Sequence, residues 1–155
     1  MAAERPTILA TSGGLIPGAR TSCYLGTALG RGPAGAWQAG VVPTGVSAGS
    51  ICWHVGGTTD SYGPELRPVT DGLGLLPYGN GVHHDSDEQR RPLLRQLVQA
   101  GTLPTSYATD DGVGLLYRGT ELVEAVSEVD GASAYRIESG PDGAAVETRL
   151  DTRRL

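Results

Sequence analysis

Phenylalanine is absent from the chain, and aromatic residues of all kinds make up only 5% of its 155 positions. With hydrophobic residues at 39%, a buried core has to be assembled from Leu, Val, Ile and Ala. Cysteine is scarce as well. Cys23 and Cys52 are the two present, which make neither a metal-ligand spacing nor a disulfide framework and point to a reducing, cytoplasmic setting. Apart from the small tail Arg149, Arg153 and Arg154, basic residues do not cluster, and the formal net charge is −5 with a pI near 5.1. A chain of that sign has no electrostatic footprint for nucleic acid or for an anionic membrane surface. No apolar stretch approaches the length of a membrane span, and the opening Met1-Ala2-Ala3-Glu4-Arg5 lacks the charged-then-apolar order of a secretion signal. The length fits one domain, residues 1–155, able to bury a core of its own.

Glycine, by contrast, is abundant, with 24 residues. Two of them frame Gly45-Val46-Ser47-Ala48-Gly49, a G-x-S-x-G pentapeptide directly after the apolar pair Val41-Val42. This order reads as a nucleophile elbow: a strand enters a sharp turn, a serine is held with its hydroxyl exposed, and a helix leaves at once. The glycines let the backbone pack tightly around the turn, and the Ala48 amide would point to where an oxyanion forms. A composition so rich in glycine produces the pattern by chance in roughly a quarter of such chains. Its surroundings must therefore carry the argument.

Along the chain, Pro6 to Thr11 reads as a short buried strand ended by Ser12-Gly13-Gly14. The Gly- and Ala-rich stretch 20–40 offers a weak helix around Cys23 to Leu29 and a short turn near Trp37. Val41 to Val46 is the elbow strand, with Pro43 out of place in a fully paired strand. Ala48 to Val55 fits the elbow helix, closed by Gly56-Gly57. Thr58 to Gly81 reads as loop-rich. Ser86 and Gln89 form a capping-box pattern, and Pro92 predicts one turn and then a restart of the helix. Leu93, Leu94, Leu97 and Val98 make its buried stripe, and Gly101 its stop. Two strand pairs follow, 113–117 with 121–126 and 134–138 with 144–149.

A serine nucleophile needs a base and a group to orient that base. The chain has three histidines: His54 on the elbow helix, where packing is the plainer role, and the adjacent His83 and His84. Neighbours in extended chain point opposite ways, so at most one of the pair faces a site. His83-His84-Asp85 also has the donors of a metal site, but no third or fourth ligand stands at a matching spacing. Asp60, Asp85, Asp110 and Asp111 are all available as the acid, and spacing does not choose among them.

The segment from Gly45 through Ser50-Ile51-Cys52-Trp53 resembles the elbow of the peptidase E and cyanophycinase family of serine peptidases. Three more segments follow in the family's order: Thr58-Thr59-Asp60, Val82-His83-His84-Asp85-Ser86, and Tyr107-Ala108-Thr109-Asp110-Asp111-Gly112. The opening Thr7 to Gly14 resembles the family's first strand and loop. The resemblance implies an α/β domain with a mainly parallel sheet and flanking helices, a shortened flavodoxin-like or glutamine-amidotransferase-like fold with C-terminal hairpins. It implies Ser47 as nucleophile, His83 as base, Asp111 as orienting acid with Asp60 the alternative, and Ala48 as oxyanion donor. No cofactor or metal is called for, and the substrate would be a small peptide.

The chain departs from the family at two places. Residues 20–40 replace several βα units, one of which carries a Gly-Gly-Gly oxyanion loop, and no Gly-Gly-Gly occurs here. Gly13 or Gly14 would have to substitute. Asp87 stands before Glu88-Gln89-Arg90 where the aspartyl dipeptidases have Arg, and a carboxylate there repels an acidic side chain. The shortened sheet should expose an edge, which a homodimer would cover, and activity should be reduced. The alternative reading is a non-catalytic remnant or small-ligand binding protein that retains the elbow.

Overall fold

The computed structural model describes residues 7–11 and 32–155. Its elements are β1 (Thr7–Thr11), α1 (Pro33–Gln38), β2 (Thr44–Val46), α2 (Ala48–Ile51), β3 (His54–Thr59), β4 (Arg67–Val69) and β5 (Leu76–Gly81), followed by α3 (Arg90–Gln99), β6 (Ser106–Thr109), β7 (Val113–Arg118), β8 (Glu121–Ser127), β9 (Ala134–Ser139), β10 (Ala145–Leu150) and β11 (Thr152–Arg154). They form an α/β fold of two sheets, ordered β11-β8-β7-β1-β2 and β10-β9-β6-β5-β3-β4.

Both sheets are mixed, which corrects the expected mainly parallel sheet. β1–β2, β3–β5, β5–β6 and β8–β11 are parallel. β1–β7, β7–β8, β3–β4, β6–β9 and β9–β10 are antiparallel. The physical reason lies in the connections. A parallel pair needs a long crossover, whereas 119–120 and 140–144 are short turns that can only return the chain antiparallel. These are the two C-terminal hairpins read from the sequence. Helices are few among the described residues, and the substantial one is α3.

The elbow helix is also shorter than its expected span of 48–55: α2 ends at Ile51 and His54 already opens β3. Gly56 and Gly57 therefore lie inside a strand rather than closing a helix. A Cβ on Gly57 would stand 2.1 Å from the Asn80 carbonyl oxygen, so glycine is what lets β3 and β5 approach. The loop expected over 58–81 likewise contains β4 and β5. The expected turn and restart near Pro92 is a turn leading to α3, which begins at Arg90 with Pro92 in its first turn, where a missing N–H costs nothing. No side chain caps it: Ser86 Oγ donates instead to the His83 carbonyl at 3.0 Å. Leu94, Leu97 and Val98 are buried as expected, and Gly101, at φ +69°, ends the helix. The weak helix expected at 23–29 and the Ser12-Gly13-Gly14 turn lie outside the described residues.

Pro43 precedes β2, and its carbonyl accepts from Leu9 N–H at 3.0 Å. Among the described residues β2 pairs only with β1, at the edge of its sheet, and Val41, Val42 and Val46 are exposed there. Proline is tolerated at such a margin.

Two apolar clusters hold the fold. Ile8, Ala10, Trp53, Leu76, Val113, Leu115, Tyr117, Ala125 and Ala134 form one. Leu94, Leu97, Val98, Leu103, Ala108, Ile137 and Ala145 form the other, beneath α3. The first contradicts a purely aliphatic core, because Trp53 and Tyr117 are buried and Tyr78, Tyr107 and Tyr117 pack ring against ring at 5.0–6.2 Å. Few as they are, the aromatics concentrate where a large side chain fills most space. Cys52 is disulfide-bonded, against the expectation of no disulfide; Cys23 lies outside the described residues. The cysteine count therefore gives no argument for a reducing compartment. Among the described residues, no helix is long and apolar enough to cross a membrane.

His54 is wholly buried. Its Nδ1 donates to the Ser50 carbonyl at 2.9 Å, and its Nε2 faces the Tyr117 hydroxyl at 3.5 Å. Burial lowers its pKa from 6.5 to about 4, the bond to Ser50 opposing the shift. The unfolded chain takes up that proton near pH 6.5, so between 6.5 and 4 the unfolded state holds more protons than the folded one. Stability then falls as pH falls through that window, by about 3 kcal/mol in all, with no contribution above it. Urea unfolding from pH 7 to 4 should show this slope, and His54→Gln should flatten it. Parallel slopes for the two proteins would exclude His54 as the cause.

Candidate active site

The pentapeptide folds as a sharp turn between β2 and α2. Ser47 sits between them at φ 54°, ψ −125°, a conformation that costs a non-glycine residue on the order of 1–3 kcal/mol and persists only where its surroundings impose it. They do so from both sides. Ser47 N–H donates to the Thr11 carbonyl of β1 at 2.9 Å, and the Ser47 carbonyl accepts from Ser50 N–H at 2.8 Å to start α2. The turn also closes on itself. A Cβ on Gly45 would lie 2.2 Å from the Gly49 carbonyl oxygen and 2.7 Å from Trp53 Nε1. The tight packing read from the two glycines is thus visible at Gly45.

His83 follows β5 and is the second described non-glycine residue with positive φ, at 56°. Its Nε2 lies 2.8 Å from Ser47 Oγ, and its Nδ1 is in close contact with Asp111 Oδ1. Ser47, His83 and Asp111 are thus brought together in one chain of contacts. The carboxylate lies on the far side of the imidazole from the hydroxyl. With Asp111 accepting the Nδ1 proton, Nε2 is left with a lone pair toward Ser47 Oγ–H. That arrangement can take a proton from the hydroxyl and hold the resulting imidazolium.

His84 points the other way, although the chain turns at His83 with its positive φ rather than running extended as the sequence reading assumed. Its side chain is 1% exposed, and its Nε2–H donates to Glu147 Oε2 at 3.4 Å. Burial lowers its pKa, with Glu147 opposing. Asp60 is not beside the imidazole either. Its carboxylate accepts from Arg90 Nη2 at 2.7 Å, and Arg90 Nη1 donates to the Val82 carbonyl at 3.3 Å, so the pair braces the strand end that leads into His83. Asp110 is turned inward. It accepts from Ser133 N–H at 2.9 Å and the Tyr135 hydroxyl at 3.1 Å, and burial raises its pKa despite these bonds. Asp85 ties the two loops together, accepting from Asp111 N–H at 2.9 Å.

Asp85, Arg90, Tyr135 and Glu147 carry these supports; the sequence offered Asp85 as a candidate acid or metal donor, not as this tie, and gave Arg90, Tyr135 and Glu147 no part in the site. Their partners stand 8 to 63 residues away in the chain, and no local pattern marks such pairs. Ala48 opens α2 directly after Ser47. Gly13 and Gly14, the candidates for a second oxyanion donor, lie outside the described residues. A cavity of about 380 Å³ adjoins the elbow helix, lined by Ala48, Ile51, Thr59, Tyr62, Asp71 and Leu73 among others. Among the described residues, no group of three or more His, Cys, Asp or Glu side chains is placed to hold a metal.

Comparison with known proteins gives two matches. Residues 26–125 match the model of peptidase family S51. The chain is also 43% identical over 102 residues to the uncharacterized peptidase YgaJ of Bacillus subtilis (strain 168), an alignment covering 66% of this chain and 44% of that protein. The chain thus spans less than half the length of this relative. No solved structure matches.

Proposed function

Since the chain belongs to peptidase family S51, we propose that it is a serine peptidase acting on small peptides through Ser47, His83 and Asp111. The observation that carries this reading is the 2.8 Å approach of His83 Nε2 to Ser47 Oγ with Asp111 behind the ring. Ser47 Oγ attacks the substrate carbonyl carbon while His83 takes the hydroxyl proton. The Ala48 amide stabilises the oxyanion as it forms, and collapse of the tetrahedral adduct expels the amine, which receives its proton from His83. Water then attacks the acyl-serine with His83 again as base, releasing the acid and restoring Ser47. The cavity beside α2 has the volume for one or two residues of a peptide. No cofactor enters any step. The parallel run β3-β5-β6 is the part we relate to a glutamine-amidotransferase-like sheet.

A second reading, a binding protein or remnant that retains the elbow, rests on the absence of a Gly-Gly-Gly stretch from this sequence. Loss of an oxyanion donor costs about 10²–10³ in rate, so activity below that of longer relatives is compatible with the first reading. Complete inactivity toward peptides is not.

The choice of acid is tested by comparing two variants. Asp111→Asn should lower peptide turnover by about 10²–10⁴-fold, because the imidazole loses its orientation and its countercharge. Asp60→Asn should leave the turnover of folded protein within about threefold while lowering the melting temperature, since it weakens the partner of a buried arginine. The opposite pattern would assign the acid to Asp60.

A further inference from the structure

The residues flanking the triad point into a second polar cluster, and that cluster is built from the C-terminal hairpin. His84 follows His83, and Asp110 precedes Asp111. Both turn inward, and both end on β9 or β10. Glu147 of β10 is the hub. Its side chain is only 5% exposed, and it accepts from His84 Nε2 at 3.4 Å and from Arg91 Nε at 3.2 Å, with Arg91 Nη2 closer still and Arg95 Nη1 at 3.9 Å. A carboxylate so enclosed is tolerable only because several cationic or N–H donors surround it. Tyr135 of β9 is the second post. Its ring lies 5.1 Å from the Arg91 guanidinium carbon and 5.1 Å from the His84 ring centre, while its hydroxyl donates to Asp110 at 3.1 Å.

We propose that Glu147 and Tyr135 are positioning residues for the triad, holding His83 through His84 and Asp111 through Asp110. The proposal rests on the peptidase reading for its consequence and on the geometry of the cluster for its content. Two neighbouring peptide units, 83–84 and 110–111, each carry one active-site side chain outward and one anchored side chain inward. Fixing the inward partner fixes the rotation of the peptide unit and thereby the outward one. His83 has particular need of this, because its positive φ is not a conformation it would hold unaided. The direct ties between the loops, His84 N–H to the Thr109 carbonyl at 3.0 Å and Asp111 N–H to Asp85, set their spacing. The hairpin sets their orientation. Both posts lie beyond residue 125, where the family match ends, so the C-terminal hairpin serves the site as well as closing the sheet.

The test uses the full chain with ¹⁵N-labelled histidine and a fluorophosphonate probe. Glu147→Ala should shift the ring-nitrogen resonances of His83, identified by their loss in His83→Gln, toward those of a free imidazole. It should also lower the maximal rate of Ser47 labelling about tenfold or more while leaving the half-saturating probe concentration unchanged, since misplacement by an ångström or less is enough for such a loss. Glu147→Gln keeps an acceptor oxygen for His84 and Arg91 and should restore the rate to within about threefold of wild type. Tyr135→Phe keeps the ring beneath Arg91 and removes only the bond to Asp110. It should shift the His83 resonances in the same direction, and it carries the test should Glu147→Ala fail to fold. His83 resonances superimposable on wild type in folded Glu147→Ala or in Tyr135→Phe would overturn the proposal. If wild-type Ser47 does not label at all, the peptidase reading falls, while the resonances still decide the positioning role.

Discussion

Gly45→Ala should unfold the elbow. The added Cβ would stand 2.2 Å from the carbonyl oxygen and 2.5 Å from the carbonyl carbon of Gly49, and neither is the end of a side chain that could swing away. Ordinary overpacking costs about 1–3 kcal/mol when side chains can yield. Here backbone must move, and that backbone also carries Ser47 and the first turn of α2. We expect a loss of about 3 kcal/mol or more, a large part of the stability of a domain this size. Urea unfolding measures it, with Gly32→Ala as the control because a Cβ there meets nothing within 4 Å. Equal midpoints for the two variants would show that the turn is not packed as described.

Removing the imidazole should have a comparably large effect on chemistry and little on folding. His83 is part-exposed, with its side chain 23% accessible, and its ring contacts are to Ser47 and Asp111 rather than to the core. His83→Ala should therefore lower peptide turnover and serine labelling by about 10²–10⁴-fold, the usual contribution of a positioned general base. The same substitution at His84 should act differently. It removes a buried ring from beside Tyr135 and Glu147, so it should lower the melting temperature as well as the rate. A His83→Ala protein that labels like wild type would remove the base from the account.

How much of this was legible in the sequence depends on the range of the interaction responsible. The elbow was, because Gly45, Ser47 and Gly49 act within five residues and their packing is a local matter. So were α3 and both C-terminal hairpins, whose apolar periodicity and turn residues are likewise local. The site required a resemblance: the residues alone left His83, His84 and four aspartates open, and only the ordered segments pointed to His83 and Asp111. The mixed sheets were not legible, since β1 finds β7 more than a hundred residues away and nothing in either strand specifies the partner. Gly56 and Gly57 misled for a related reason. Read locally they stop a helix, whereas the close approach of β5 requires Gly57. The disulfide at Cys52 and the roles of Glu147 and Tyr135 depend on tertiary placement alone.

In the proposed function Ser47 is a nucleophile activated by His83 and Asp111. Incubation of the full chain with a fluorophosphonate, followed by peptide mapping by mass spectrometry, tests it most directly. One adduct is expected, on the Ser47 hydroxyl, absent from Ser47→Ala and strongly slowed in His83→Ala. Modification that persists in Ser47→Ala, or a folded wild-type protein that takes no adduct at Ser47, would contradict it.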